Sequence, residues 1–131
     1  YLQQARHFAD FFFGLPNLPE DLIPYWDFNA PEIPNEPRDA SAATCIASAL
    51  YELSTYVPEY KALYKEEADR ILENLTAHYR AKPNGDNGFL LLHSTGSKPH
   101  NSEIDVPIVY AAYYFLEALI RKNKLEKEQK L

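Results

Sequence analysis

The stretch ASAATCIASALYELSTYV, residues 40–57, places Ala or Ser at seven of its first ten positions, with Ile46, Leu50 and Leu53 in the same helical pattern. Small side chains at contact positions let neighbouring helices come close. The segment therefore predicts an inner helix, covered on most of its circumference. Asp39, with Arg38 beside it, stands where an N-cap belongs. Val57-Pro58 closes the helix, because proline has no N–H with which to continue it.

Such a helix needs others packed round it, and the flanking sequence supplies them. YKALYKEEADRILENLTAHYRAK, residues 60–82, puts Leu63, Tyr64, Ala68, Ile71, Leu72, Leu75 and Tyr79 on one stripe, with Lys65, Glu66, Glu67 and Arg70 opposite. That is the pattern of an outer, half-solvated helix. Upstream, Leu2, Ala5, Phe8, Ala9 and Phe12 recur at three and four, until Gly14 and Pro16 stop the run. Downstream, Ile108, Val109, Ala112, Phe115, Leu116 and Leu119 mark a helix from Ile104 to Arg121, with Pro107 tolerated in its first turn. The charged tail KNKLEKEQKL is expected to fray.

Two irregular segments separate these helices. Residues 15–37 hold six of the ten prolines and no sustained period, which predicts a stiff arm that is neither helix nor strand. Residues 83–103 hold three of the four glycines among Pro, Asn and Ser, the composition of turns, and the FLLLH run inside them is too brief to assign by period. The order is helix, arm, inner helix, outer helix, loop, helix. This is an all-α, helical-hairpin pattern in a single domain, residues 1–131.

Composition excludes several classes. With 46% apolar residues and a net charge of −6, the chain reads as globular and lacks the basic patch that nucleic-acid binding needs. No run approaches the ~18 apolar residues of a membrane span. The single Cys45 forms no internal disulfide and reads as a buried, inert thiol. The chain has no Met and begins inside a helical pattern, and 14% of it is aromatic, apolar area that wants a partner surface. A segment of a larger helical assembly is expected.

The chemistry-bearing residues collect in the arm and in the later loop. In a ring of helical hairpins, the loops entering the inner helices converge on one central cavity, and both segments precede such a helix. Tyr25 and Trp26 are then flat surfaces for a sugar ring, with Asp27, Arg38 and Asp39 as polar contacts. The alternative is a hydrophobic plug of Tyr25, Trp26 and Phe28, with Asp39 only a cap and Arg38 only its ion-pair partner. Ser94, Thr95, Gly96, Ser97 and Lys98 make a hydroxyl-rich turn ending in a cation, which is either an anion cradle or a solvated turn, and the GxxxxGK[ST] phosphate loop is absent. His93 and His100 lack a zinc spacing, and no metal or other cofactor is expected. His78, near the end of the outer helix, reads as a surface residue favoured by the helix dipole. No Ser/His/Asp nucleophile pattern is visible.

PYWDFNAPEIPNEPRDASAA, GFLLLHSTGSKP and SEIDVPIVYAAYYFLEALIR, in this order and spacing, resemble the unsaturated glucuronyl hydrolases, glycoside hydrolase family 88. The resemblance runs from the first helix to Arg121. It implies the C-terminal part of an (α/α)6 barrel, six helical hairpins in a ring, whose N-terminal remainder is the chain's partner. It also implies an unsaturated oligosaccharide substrate left by a polysaccharide lyase, from which a 4,5-unsaturated uronic acid is released. In that chemistry an aspartic acid of raised pKa protonates the vinyl ether and water adds across the double bond. The family's catalytic aspartates lie upstream, so no Asp of this chain is the acid, and the residues implied near substrate are Tyr25, Trp26, Asp27, Arg38, Asp39, His93, Ser94, Ser97 and Lys98. Ser94, Ser97 and Lys98 map to a segment that recognises sulfate in some members.

One departure is Ala112, which stands where the family usually carries an acid before FLEAL. It keeps open a non-catalytic, degenerate barrel domain, beside the related unsaturated rhamnogalacturonyl hydrolases with pectin-derived substrates. The compartment implied is the bacterial cytoplasm or periplasm, and one Cys suits both.

Overall fold

Asp39 starts the central helix: its backbone is extended, at φ −127° and ψ 90°, and its carboxylate accepts the Ser41 N–H at 3.0 Å. In the computed structural model, which describes residues 1–128 and of Asp86 the backbone alone, this helix runs Ala40–Tyr56. The described residues form four α-helices, α1 (Leu2–Phe13), α2 (Ala40–Tyr56), α3 (Lys61–His78) and α4 (Val109–Glu128), and contain isolated β-bridges but no strand. No described helix is long and apolar enough to cross a membrane.

Ten of the seventeen residues of α2 are buried, too many for one stripe, and α3 and α4 pack on different sides of it. Ala40, Ala43 and Ala47 are wholly buried in the same cluster as Ala68 of α3 and Ala111 and Ala118 of α4. Short side chains on both partners allow the close approach that the sequence predicts. The buried hydroxyls of Thr44 and Ser54 are satisfied within the helix, on the carbonyls of Ser41 and Tyr51, both at 2.7 Å. Cys45 is half-buried, and burial, with Asp39 and Glu117 nearby, pushes its thiol up.

Two polar clamps bind the three helices. Asp69 of α3 accepts from the Tyr51 hydroxyl of α2 at 2.5 Å, pairs with Lys122 of α4 at 2.6 Å, and meets Lys65 at 2.8 Å. Burial alone would raise the Asp69 pKa, but these donors outweigh it and the carboxyl sits below its ordinary value. At the other clamp, Arg121 donates to the carbonyl of Ser48 at 2.8 Å and pairs with Glu52 at 2.6 Å.

Expectations for three of the helices are corrected. The last helix begins at Val109 rather than Ile104, because Ser94 and Val106 exchange backbone hydrogen bonds of 2.9 Å and left-handed Glu103 and Asp105 turn the chain before it. It continues beyond Arg121 to Glu128, held by Lys122 on Asp69 and by buried Leu125, and Gln129–Leu131 of the expected fraying tail lie outside the described residues. Its core stripe is Ala111, Phe115, Ala118 and Leu125, while Val109, Leu116 and Leu119 are exposed. The α1 stripe is present but mostly uncovered. Only Ala9 and Phe12 are buried, whereas Phe8 and Ala5 line an open apolar groove of about 400 Å³ with Ile46, Leu50 and Leu53 of α2. Leu63, assigned to the α3 stripe, is exposed.

Ala47→Leu is expected to lower stability by about 1–3 kcal/mol through overpacking, and Ala62→Leu, on the exposed face of α3, by ~0.5 kcal/mol or less; denaturant melts of the two variants compare them. Asp69→Asn is expected to lower stability at pH 7 by about 1–3 kcal/mol. Because Asp69 holds its proton less tightly folded than unfolded, its contribution is complete above the unfolded carboxylate range and is lost as pH falls through the lower folded value. The gap in Tm between wild type and variant therefore narrows on acidification, and a gap constant from pH 7 to pH 3 would contradict the clamp.

Candidate functional site

The arm is tethered at its base immediately before α2. Tyr25 and Arg38 form an antiparallel bridge, flanked by Trp26 N–H to the Pro37 carbonyl at 3.0 Å and Asp39 N–H to the Pro24 carbonyl at 2.9 Å. Residues 26–37 thus project as a closed loop. Asp27 caps its first turn, accepting the Asn29 N–H at 2.7 Å while remaining exposed. Phe28 packs on Phe11 and Phe12 of α1, with centroids 6.1 and 6.0 Å apart. Phe28 is therefore the plug of the arm, and the ring of half-buried Trp26 belongs elsewhere.

The later loop docks on the same helix end. Ala40 N–H donates to the His93 carbonyl at 3.0 Å, the Thr95 hydroxyl donates to the Arg38 carbonyl at 3.0 Å, and the Thr95 N–H reaches the Asp39 carboxylate at 3.4 Å. At Gly96 an added Cβ would lie 2.5 Å from Glu103 Oε2, the outer end of an exposed side chain, so a larger residue there would displace the Glu103 carboxylate. His93 and Asp105, both left-handed at φ 63° and 53°, face each other with Nδ1 and Oδ1 2.7 Å apart.

Glu36 joins the two segments. Its side chain is only 1% exposed and accepts from Trp26 Nε1 at 2.8 Å and from the Glu32 N–H at 3.3 Å. It also pairs with Lys98, whose ammonium lies over the Trp26 ring, 5.2 Å from its centroid. The Lys98 hydrogen bond outweighs burial and holds the Glu36 carboxyl below its usual range.

Between the segments and the end of α3 lies an open polar cleft of about 420 Å³, lined by Asp21, Glu36, Pro37, Arg38, His78, Tyr79, His93 and Asp105. Arg38 pairs with Asp21 at 3.0 Å, donates to the Ile23 carbonyl, and stacks on Tyr25 with its guanidinium carbon 4.8 Å from the ring centroid. Tyr79 donates to the other Asp21 oxygen at 2.9 Å, and burial followed by that carboxylate pushes its phenol well above the ordinary range.

The structure thus brings Trp26, Arg38, Asp39, His93 and Lys98 into two linked loops, with Tyr25 beneath Arg38. Asp39 serves as the N-cap and as the point on which both loops hang. Ser94 is wholly buried with its hydroxyl unpartnered, Ser97 Oγ lies 2.9 Å from His100 Nδ1, and Lys98 is occupied by Glu36. As placed, these three groups do not form one cradle. Ala112 is half-buried on α4. Among the described residues, no three His, Cys, Asp or Glu side chains gather at metal-ligating geometry.

Sequence reading missed Asp21, Glu36, Tyr79 and Asp105. Glu36, between Pro34 and Pro37, offered one signal, since an acid on a proline-fixed turn beside a lone Trp has few places to go. Asp21 and Asp105 meet their partners only through the tertiary fold.

No protein-family model matches the chain. The unsaturated glucuronyl hydrolase of Formosa agariphila is 50% identical over 126 residues, which are 95% of this chain and 31% of that protein. A crystal structure of an unsaturated glucuronyl hydrolase specific for heparin superposes with a TM-score of 0.92 at 46% identity, over 96% of this chain and 34% of that one. A mutant of the Streptococcus agalactiae unsaturated glucuronyl hydrolase, complexed with dGlcA-GalNAc6S, superposes with a TM-score of 0.80 at 32% identity, over 92% of this chain and 33% of that one. The chain therefore spans about a third of the length of these relatives, and its helices are part of an (α/α)6 barrel. By sequence and by fold, the chain belongs to the unsaturated glucuronyl hydrolase family.

Proposed function

We propose that this chain is the C-terminal part of a hydrolase that releases a 4,5-unsaturated uronic acid from the non-reducing end of lyase-generated glycosaminoglycan oligosaccharides, and that it forms one wall of the sugar cavity. The observation that carries the reading is the superposition on the heparin-specific hydrolase over 96% of the chain at a TM-score of 0.92. The substrate class rests on that protein and on the neighbour complexed with dGlcA-GalNAc6S.

The wall consists of the two loops that lead into α2 and α4. Trp26 presents a ring face to the apolar C–H face of a sugar, and Arg38 and His93 present donors to its edges. The acid comes from the remainder of the barrel: it protonates the vinyl ether carbon, water adds at the adjoining carbon, and the hemiketal opens to free the neighbouring sugar. Asp21 and Asp39 are poor candidates for that step, because both carboxylates are already engaged: Asp21 accepts from Arg38 and Tyr79, and Asp39 accepts from the Ser41 N–H and hydroxyl. The N-terminal remainder has surfaces to meet, namely the open groove between α1 and α2 and the exposed stripe Val109, Tyr113, Leu116 and Ile120 of α4. A helix apolar on both sides, as α4 is, belongs between two layers.

The test is ultraviolet absorbance of the unsaturated uronate during incubation of the full-length natural protein with heparin- and chondroitin-derived disaccharides. Loss of absorbance is expected; persistence with these, and loss only with pectin-derived substrates, would overturn the substrate class. Trp26→Ala in the same protein is expected to raise KM roughly tenfold at a kcat within about twofold, because stacking on a bound sugar is uniform binding. A lowered Tm with unchanged kinetics per folded molecule would make Trp26 a packing residue instead.

A further inference from the structure

We infer that Glu36 is a positioning residue that sets the orientation of the Trp26 ring and joins the arm to the later loop as one rigid sugar-facing wall. The inference rests on the reading of Trp26 as a sugar platform and goes beyond it. A carboxylate with 1% of its side chain exposed is unusual in an irregular loop, where solvent is normally close. Its three partners come from different places: the indole N–H of Trp26 at 2.8 Å, the ammonium of Lys98 in the other loop, and the Glu32 N–H at 3.3 Å.

Each contact removes a freedom that a stacking platform must not have. The indole donor fixes rotation of the ring about its side-chain bonds, since only one orientation aims Nε1 at Glu36. The ammonium lies over one face of the same ring, which leaves the opposite face as the one a sugar can meet. The charge pair spans 62 residues of sequence and fixes the spacing of two loops that also meet through Thr95 at the start of α2. A pair of a buried carboxylate with a half-buried ammonium gives orientation more than net stability. The ordering it imposes is a cost that the sugar need not meet on binding.

The experiment is a double-mutant cycle in the full-length protein, with KM and kcat measured on an unsaturated disaccharide. Glu36→Leu keeps side-chain bulk and removes the acceptor; Glu36→Gln keeps an acceptor for the indole and gives up the charge. Glu36→Leu is expected to raise KM about fivefold at a kcat within about twofold, Glu36→Gln about twofold, and neither to raise KM further when Trp26 is already Ala. If Glu36→Leu does not fold, Glu36→Gln carries the same comparison. KM increases that add to that of Trp26→Ala, or a fall in kcat at constant KM, would overturn the positioning role. Trp26→Ala kinetics equal to wild type would instead remove the platform reading itself, a result distinct from additivity.

Discussion

The close approach of three helices on the small-residue surface of α2 is the constraint on which the remaining structure depends. Ala40, Ala43 and Ala47 leave no side-chain bulk between α2 and its neighbours, so α3 and α4 come close enough for Asp69 to reach Tyr51 and Lys122. The hydroxyls of Thr44 and Ser54 on this surface return to carbonyls of their own helix, that of Ser41 to Asp39, and that of Ser48 to Glu117 of α4 at 2.5 Å. The core thus tolerates polar atoms without orphaning most of them. Its specificity comes from shape and from two clamps at its margins, alongside the large buried side chains Tyr51, Ile71, Leu75 and Phe115.

The start of α2 carries the second role. A helix N-terminus needs acceptors for its first N–H groups, and here Asp39 and the His93 carbonyl provide them. The His93 carbonyl belongs to the loop that leads into α4, and the Thr95 N–H turns back to the same Asp39 carboxylate. Capping and loop docking are therefore one network, and the arm bridge at Tyr25 and Arg38 adjoins it directly. The two segments converge because they satisfy the backbone of one helix.

How much of this was legible follows the range of each interaction. The inner character of α2, its cap and its end were readable because small residues, Asp39 and Val57-Pro58 act within a few positions. The stripe of α4 was misassigned because that helix is apolar nearly all round, so Val109 and Leu116 fit a period as well as Ala111 and Phe115 do. Periodicity identifies a face only where the opposite face is polar. The early start assigned to α4 failed for another reason: Pro107 is compatible with a first turn, but the Ser94–Val106 bridge and two left-handed acids are tertiary choices. In the site, Trp26 and Arg38 were visible by type, whereas Glu36 and Asp21, which hold them, are ordinary acids in sequence. Only the fold shows that one is buried and the other chelated.

That pairing alters what this wall can contribute electrostatically. Arg38 and Lys98 were the cations expected to meet an anionic sugar, yet Asp21 neutralises one and Glu36 the other, in a chain whose net charge is −6. A paired cation still donates hydrogen bonds but exerts little long-range attraction on an incoming anion. In the proposed barrel, the wall formed by this chain therefore recognises the sugar by ring faces and directed donors. On the proposed function, attraction for the uronate carboxylate falls to the remainder of the barrel, which also supplies the proton. There the attracting charge has to stand apart from the acid, because a cation beside it would favour the ionised carboxylate and leave no proton for the hydration step.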